Sequence, residues 1–290
     1  MTDSTPISQT SSLVGLQLGD YQILRRLGHG GMSVVYLAEQ QSLKRRVAFK
    51  VLKSELAKDT SYVRRFHKEA QAAASLVHAN IVQIYEVGEQ EGIHYIVQEY
   101  VPGQNLAQYI RRHSSVSVPL SIVILKQVAA ALHRAGDQGI THRDIKPENI
   151  MLSTSGEVKV ADFGLARVTS GEHHVETTQI GITMGTPLYM SPEQAEGGAI
   201  DPRSDIYSLG VTGYHMLAGR PPFEGDTALS VAVQHLKRIP DPVSSVRPAI
   251  PQALCDLIMK MLEKQPEQRI QKAIELQKHC LLYTSPSPRD

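Results

Sequence analysis

The sequence predicts an α+β fold in two lobes, a strand-rich first part and a helix-rich second part. Three observations predict it. From Tyr21 to Glu99 the apolar residues come in short alternating or β-branched runs separated by glycine turns, with one helical stripe among them. After Pro102-Gly103 the apolar spacing changes to steps of three and four. The Pro-Gly pair itself breaks either pattern and marks the join. The expected organisation is a disordered tail over 1–19, a first lobe over 20–101, a second lobe over 102–279 and a terminal piece over 280–290.

Residues 1–19 are rich in Ser, Thr and Gln, the composition of a loose tail. Tyr21 to Leu24 opens a β-pattern that runs through Leu27-Gly28-His29-Gly30-Gly31 into Ser33-Val34-Val35-Tyr36-Leu37, a strand, glycine turn and strand. In Val47-Ala48-Phe49-Lys50-Val51 the alternation puts Val47, Phe49 and Val51 on one face and Ala48 and Lys50 on the other, where the lysine is either solvated or held for a purpose. From Asp59 to Val77 a helix is expected, capped by Asp59 or Thr60, with Val63, Phe66, Ala70, Ala73 and Val77 as its apolar stripe and Glu69 at the stripe's edge. Ile81–Tyr85 and Ile93–Val97 read as strands around a turn at Gly88–Gly92. Beyond Pro102, Asn105–His113 and Leu120–Gly136 read as helices, the second with Ile124, Val128, Ala131 and Ala135 on one face.

A chain of 290 residues, 41% hydrophobic and 20% charged, can bury a sizeable core. A net charge of +1 leaves no electrostatic footprint for nucleic acid. Two cysteines are too few for a disulfide framework, so a reducing cytoplasm is expected. The 12 histidines show no metal-ligand spacing. Met1 to Ser12 has no apolar core of the signal-peptide kind. Val116–Leu132, broken by Ser117, Ser121, Lys126 and Gln127, reads as a buried helix and not as a membrane span.

The chemistry concentrates in His142-Arg143-Asp144-Ile145-Lys146-Pro147-Glu148-Asn149 and in Asp162-Phe163-Gly164, which begins 18 residues after Asp144. One carboxylate that orients a hydroxyl, a lysine and an amide beside it, and a second carboxylate for a hard cation are what phosphoryl transfer needs. A polar turn would explain Asp144 and Asn149 alone, but not their order with Lys50, Glu69 and Asp162.

These residues resemble the catalytic loop and metal-binding segment of protein kinases, and the resemblance runs from Tyr21 to Leu276. It implies a protein-kinase-like fold, with an antiparallel β-sheet N-lobe carrying one main helix, a mainly helical C-lobe, and ATP between them. Gly28, Gly30 and Val35 match the glycine-rich loop, while Ser33 stands where the third glycine is usual. Lys50 would pair with the α- and β-phosphates and with Glu69. Leu27, Ala48 and Met151 would surround adenine, which the backbone of Glu99 and Val101 would bond, with Gln98 at the gatekeeper position. Asp144 would take or orient the hydroxyl proton, Lys146 would neutralise the γ-phosphoryl charge, and Asn149 and Asp162 would hold Mg²⁺, with Mn²⁺ as an alternative. His142 would pack beside Phe163 as a structural residue, Asp205 would brace the loop's backbone, and Arg269 would pair with Glu193.

The segment Val168–Met184 would be an activation segment, with Thr177 and Thr178 as phosphosites and Arg143, Arg167 and Arg65 as phosphate partners. Gly185–Ala195, in which Ser191-Pro192-Glu193 replaces Ala-Pro-Glu, resembles bacterial eukaryotic-like serine/threonine kinases. The resemblance therefore implies transfer to Ser and Thr of protein substrates, including a second copy of the chain. A nucleotide-binding pseudokinase scaffold and a small-molecule kinase are the alternatives, and the complete catalytic set and the long activation segment argue against them. The stretch from Leu281 to Asp290, with two Ser-Pro steps, looks like translated adapter read-through. The natural chain is expected to continue, as many bacterial relatives do, toward a membrane helix and sensor domain.

Overall fold

A computed structural model describes residues 13–163 and 187–282, apart from the side chains of Arg65, Glu69, Ala72 and residues 280–282. The chain divides into two compact units, Met1–Val77 with Val82–Val101, and His78–Ile81 with Pro102–Asp290.

The first unit is built on an antiparallel sheet. Its strands are β1 (Gln17–Leu18), β2 (Tyr21–His29), β3 (Ser33–Gln40), β4 (Arg45–Leu52), β5 (Ile84–Gln90) and β6 (Ile93–Glu99), in the order β1-β2-β3-β4-β6-β5. Between β4 and β5 come a short helix, α1 (Ser54–Ala57), and the main helix, α2 (Thr60–Ala74). Strand β4 is central and both of its faces are covered. Val47, Phe49 and Val51 pack with Tyr21, Ile23, Tyr36, Tyr95 and Val97, and the Phe49 ring stacks on Tyr95 at 4.7 Å. On the other face Leu52 and Ile96 pack against Phe66 and Ala70 of α2. Asp59 caps α2 by accepting from the Ser61 amide.

Several expectations are corrected here. Residues 13–19 are not a loose tail. Leu13 and Leu18 are buried in the aromatic face of the sheet, and Gln17–Leu18 pairs with β2, because Tyr21 and Phe49 offer an apolar surface that needs covering. Val77 lies beyond the end of α2 and is 67% exposed, while Leu76 is buried instead. Strand β5 begins at Ile84, and the turn after it is Glu91-Gly92, both at positive φ, which suits a two-residue hairpin. Gly88 is inside the strand, where the Tyr95 hydroxyl lies 2.6 Å from the place a Cβ would occupy. Ile81 and Val82 are buried outside any strand, Ile81 bridging to Val160.

The second unit has a small sheet in the order β7 (Gly103–Asn105), β8 (Ile150–Ser153) and β9 (Val158–Val160). Its helices are α3 (Leu106–His113), α4 (Val118–Gly136), α5 (Pro192–Glu196), α6 (Pro202–Ala218), α7 (Ala228–Lys237), α8 (Val243–Val246), α9 (Gln252–Met261) and α10 (Ala273–Leu282). Asn105 and Gln108 form a reciprocal cap at the start of α3. Ile124, Val128, Ala131 and Ala135 of α4 are all fully buried, and α4 packs on α6 and α10. By length and composition alone α4 could cross a membrane, but half of its most apolar window is buried in this unit, as in a core helix. Leu281 and Leu282, the first residues of the stretch expected to be read-through, are helical and end α10.

Candidate active site

The loop from Gly139 to Asn149 leaves α4 and enters β8 through a single 3₁₀ turn, Pro147–Asn149. A loop this polar needs partners for its backbone, and the first turn of α6 provides them. Asp205, 2% exposed, accepts from the amides of His142 and Arg143, each at 2.7 Å. Burial pushes the Asp205 carboxyl up, and the two amides and nearby His142 and Arg143 act in the opposite direction. Arg143 sits at φ 67°, a left-handed conformation that a non-glycine residue adopts at a cost. Its carbonyl accepts from Gln194 Nε2 at 2.8 Å. His142 is used on both ring nitrogens. Nδ1 accepts from the Asp144 amide at 3.2 Å, so Nε2 carries the proton and donates to the Ala161 carbonyl at 2.9 Å. Its ring meets Phe163 edge to face at 4.5 Å. Neither nitrogen is left for a substrate proton.

Asp144, Lys146 and Asn149 lie together. Lys146 Nζ is 2.9 and 2.7 Å from the two Asp144 carboxylate oxygens. Asn149 Nδ2 donates to the Asp144 carbonyl at 2.8 Å and to its carboxylate at 3.0 Å. That network assigns the amide orientation and leaves Oδ1, the better ligand for a hard cation, without a bond to Asp144. Asp144 keeps 41% of its side chain exposed and Lys146 33%, so both stay accessible. The Asn149 carbonyl accepts from the Ala161 amide at 2.8 Å, which ties the strand-end residue before Asp162 to this loop. Asp162 is itself at φ 61°. A neutral amide oxygen and a carboxylate are ligands that suit a divalent cation of the magnesium kind. Met151 is half-buried on β8, paired between Asn105 and Lys159.

In the first unit, strand register sets the candidate positions. Gly28 pairs with Val35 across the β2–β3 hairpin, and Val35 pairs with Lys50. The Gly30 amide donates to the Ser33 carbonyl at 2.8 Å, closing the turn. Ser33, at the usual glycine position, is buried and pairs with Leu52. Lys53 Nζ donates to the Gly31 carbonyl at 2.7 Å. Leu27 is half-buried on β2. Ala48 pairs with Gln98, and Lys50 with Ile96, on the other side of β4. Lys50 is 5% exposed, so the solvated alternative for it is ruled out. A buried ammonium needs compensation. The Glu69 side chain, the expected partner, lies outside the described residues, although its position on α2 is given. The Glu99 amide donates to the Gln83 carbonyl at 2.8 Å, and Val101 is buried. The expectations for Gly164, Arg167, Thr177, Thr178 and the side chain of Arg65 also fall outside the described residues.

One buried ion pair anchors α5 beside the loop. Arg269 makes a bidentate pair with Glu193, at 2.7 and 2.6 Å, and Ser204 donates to the same carboxylate at 2.6 Å. Arg269 also donates to the carbonyls of Arg203, Glu263 and Lys264. Burial acts to raise the Glu193 carboxyl, but the Arg269 and Ser204 hydrogen bonds outweigh it and leave it below its usual range. The sequence reading missed Gln194 as the holder of Arg143. Its one signal is the Ser191-x-x-Gln194 spacing of a capping box, which marks the helix start and not the long-range bond.

The protein kinase domain family matches residues 21–282. The chain is 41% identical over 266 residues to serine/threonine-protein kinase PrkC of Bacillus subtilis, covering 91% of this chain and 41% of that protein. It is 43% identical over 260 residues to serine/threonine-protein kinase PknB of Mycobacterium tuberculosis, covering 88% of this chain and 41% of that protein. The chain thus spans about two fifths of the length of these relatives. Its fold is similar to the crystal structure of the Mycobacterium tuberculosis PknI kinase domain, with a TM-score of 0.74, 28% identity, and coverage of 94% of this chain and 99% of that one.

Proposed function

The chain belongs to the protein kinase domain family, and from that premise we propose that it transfers the γ-phosphate of ATP to serine and threonine hydroxyls of proteins. The observation that carries this reading is the triple of Asp144, Lys146 and Asn149, joined by hydrogen bonds of 2.8–3.0 Å, with Asp144 and Lys146 still partly exposed. The Asp144 carboxylate, fixed in direction by Lys146 and Asn149, orients the attacking hydroxyl and accepts its proton. Lys146 is free to swing from Asp144 toward developing phosphoryl charge, since both are linked by a partly exposed pair. Asn149 through Oδ1 and Asp162 through its carboxylate are the residues that would hold a divalent cation. Mg²⁺ there, or Mn²⁺ in its place, supplies neutralisation of the phosphate oxygens.

On the nucleotide side, Lys50 would hold the α- and β-phosphates, and the Gly28–Gly30 turn would offer backbone amides to them. Leu27, Val35, Ala48 and Met151 would make the apolar surround of adenine, with Glu99 and Val101 bonding its edge through the backbone. Glu69 would be the counter-charge of Lys50. Names of the similar proteins support serine and threonine as acceptors, as does Lys146 itself, which lies beside the acceptor carboxylate. We place the reaction on the cytoplasmic side of the cell, where ATP is available, and assign Thr177 and Thr178 as sites of transfer between two copies of the chain.

The test is incubation with Mg-ATP and a generic protein substrate, followed by phosphoamino-acid analysis. Phosphoserine and phosphothreonine are expected, and chelation of the metal abolishes both. Phosphotyrosine alone, or nucleotide binding without any transfer, contradicts the proposal. Replacing Thr177 and Thr178 together with Ala lowers activity and removes phosphate from the segment; unchanged activity in a parent that carries no phosphate there defeats that assignment.

A further inference from the structure

His67 on α2 and His94 on β6 meet through their ring nitrogens at hydrogen-bond distance. His67 Nε2 lies 3.3 Å from His94 Nδ1, with the rings at 78°. Two Zn–N bonds of ~2.0–2.1 Å meeting at the tetrahedral angle put their nitrogens ~3.3–3.4 Å apart. The Glu89 carboxylate is 3.5 Å from the same His94 nitrogen. All three side chains, with Thr60 and Arg64, line a cavity of about 640 Å³, roomy enough for an ion and its waters. No group of three or more His, Cys, Asp or Glu among the described residues is arranged as a full ligand set, so the protein supplies two nitrogens here and water completes the shell.

We propose that His67 and His94 bind one divalent late-transition-metal ion of the zinc class, which clamps α2 to β6. Imidazole nitrogen is a ligand that zinc, copper and nickel share, whereas magnesium prefers oxygen. The geometry therefore separates this site from the one at Asn149 and Asp162. Coordination needs both facing nitrogens free of protons. In the hydrogen-bonded pair one of them holds a proton, and that ring moves it to its other nitrogen, so no net proton is released. Burial, and then the neighbouring His94, pull the His67 pKa down, while Glu89 acts against them. Arg64 and Lys68 also line the cavity and weaken attraction for a cation, and Glu89 offsets them. His67 is two residues before Glu69 on α2, and β6 pairs with β4 at Lys50. A metal bridge would therefore fasten the helix that carries Glu69 to the sheet that carries Lys50.

The experiment uses untagged protein and ZnCl₂ in chelator-free buffer. Calorimetric titration and thermal unfolding are compared for the parent, His67→Gln, His94→Gln and the exposed control His113→Gln. The parent and His113→Gln are expected to bind one ion at this site and gain about 4 °C in Tm at saturation, reversed by EDTA. Each of the other two variants loses at least about tenfold in affinity. Equal affinity in all four proteins, or no binding by the parent, overturns the proposal. Should a variant unfold, zinc-edge absorption of the loaded parent decides instead. Two imidazole ligands support the clamp, and none or one refutes it.

Discussion

The candidate residues of the two units are held in place by opposite means. In the first unit, Lys50 and Ala48 ride on a central strand, and neighbours a few residues away in register fix them. In the second unit, Asp144 rides on a loop without regular structure, and residues far along the chain fix it. Asp205 is 62 and 63 residues from the amides it holds, and Gln194 is 51 from the carbonyl it holds. Apolar burial on both faces stabilises the first arrangement. Buried charged braces stabilise the second, and loss of one partner leaves the other desolvated and unpaired. The difference teaches where the molecule is brittle.

That contrast predicts a ranking of substitutions. Glu193→Ala should be the most damaging, because it strands the guanidinium of Arg269, whose side chain is fully buried. A loss of about 3–5 kcal/mol in denaturant unfolding is expected. The pair also sets an acid limit. The Glu193 carboxyl in the folded protein lies below its ordinary value of 4.5. Its stabilisation is thus fully present above that pH and is lost as pH falls through the folded-state value. Glu193→Gln should flatten the stability profile in that acid range and leave its slope unchanged near neutrality. Asp205→Asn comes next. It turns one acceptor into a donor facing an amide, costs about 1–3 kcal/mol, and lowers kcat by about 10–100-fold through misplacement of Asp144. Asp59→Ala removes the α2 cap for about 1 kcal/mol. Lys50→Met should cost less stability than Glu193→Ala, since an apolar chain of similar length fills the buried strand position, yet it should abolish phosphoryl transfer. If Lys50→Met unfolds the protein as readily as Glu193→Ala, the contrast between the two regions fails.

Legibility follows the same division. The alternation in Val47–Val51 and the stripe in α4 were readable because one short pattern carries one face. The fold class and the sheet-then-helix order rest on such patterns. Leu13 and Leu18 lie in Leu13-Val14-Gly15-Leu16-Gln17-Leu18, a run too short to show a period and joined to the Ser- and Thr-rich residues before it. Val77 continued the helical stripe numerically, but the helix stops at Ala74, and only the structure sets that end. In Gly88–Gly92 the glycine with φ 75° makes the turn, while the other makes room for Tyr95, two uses that one letter does not distinguish. At the candidate site, Asp144, Lys146 and Asn149 are close in sequence and so were visible as a cluster. Burial of Lys50 was not, because it depends on α2 covering the second face of the sheet. The Asp205 and Arg269 contacts were reached only through resemblance, because no local physical rule links residues more than 60 apart. Gln194 carried no such cue.

The most direct test is phosphoryl transfer from Mg-ATP by the parent and by Asp144→Asn, with nucleotide affinity and unfolding measured on the same preparations. Asn at this position keeps the size of Asp144 and removes its ability to take a proton. A fall in kcat of about 10²–10⁴-fold, with ATP affinity and stability close to the parent's, is the expected result. Transfer by Asp144→Asn at the parent's rate would contradict the account, because the hydroxyl would then be activated by a group other than the one this loop is built to hold.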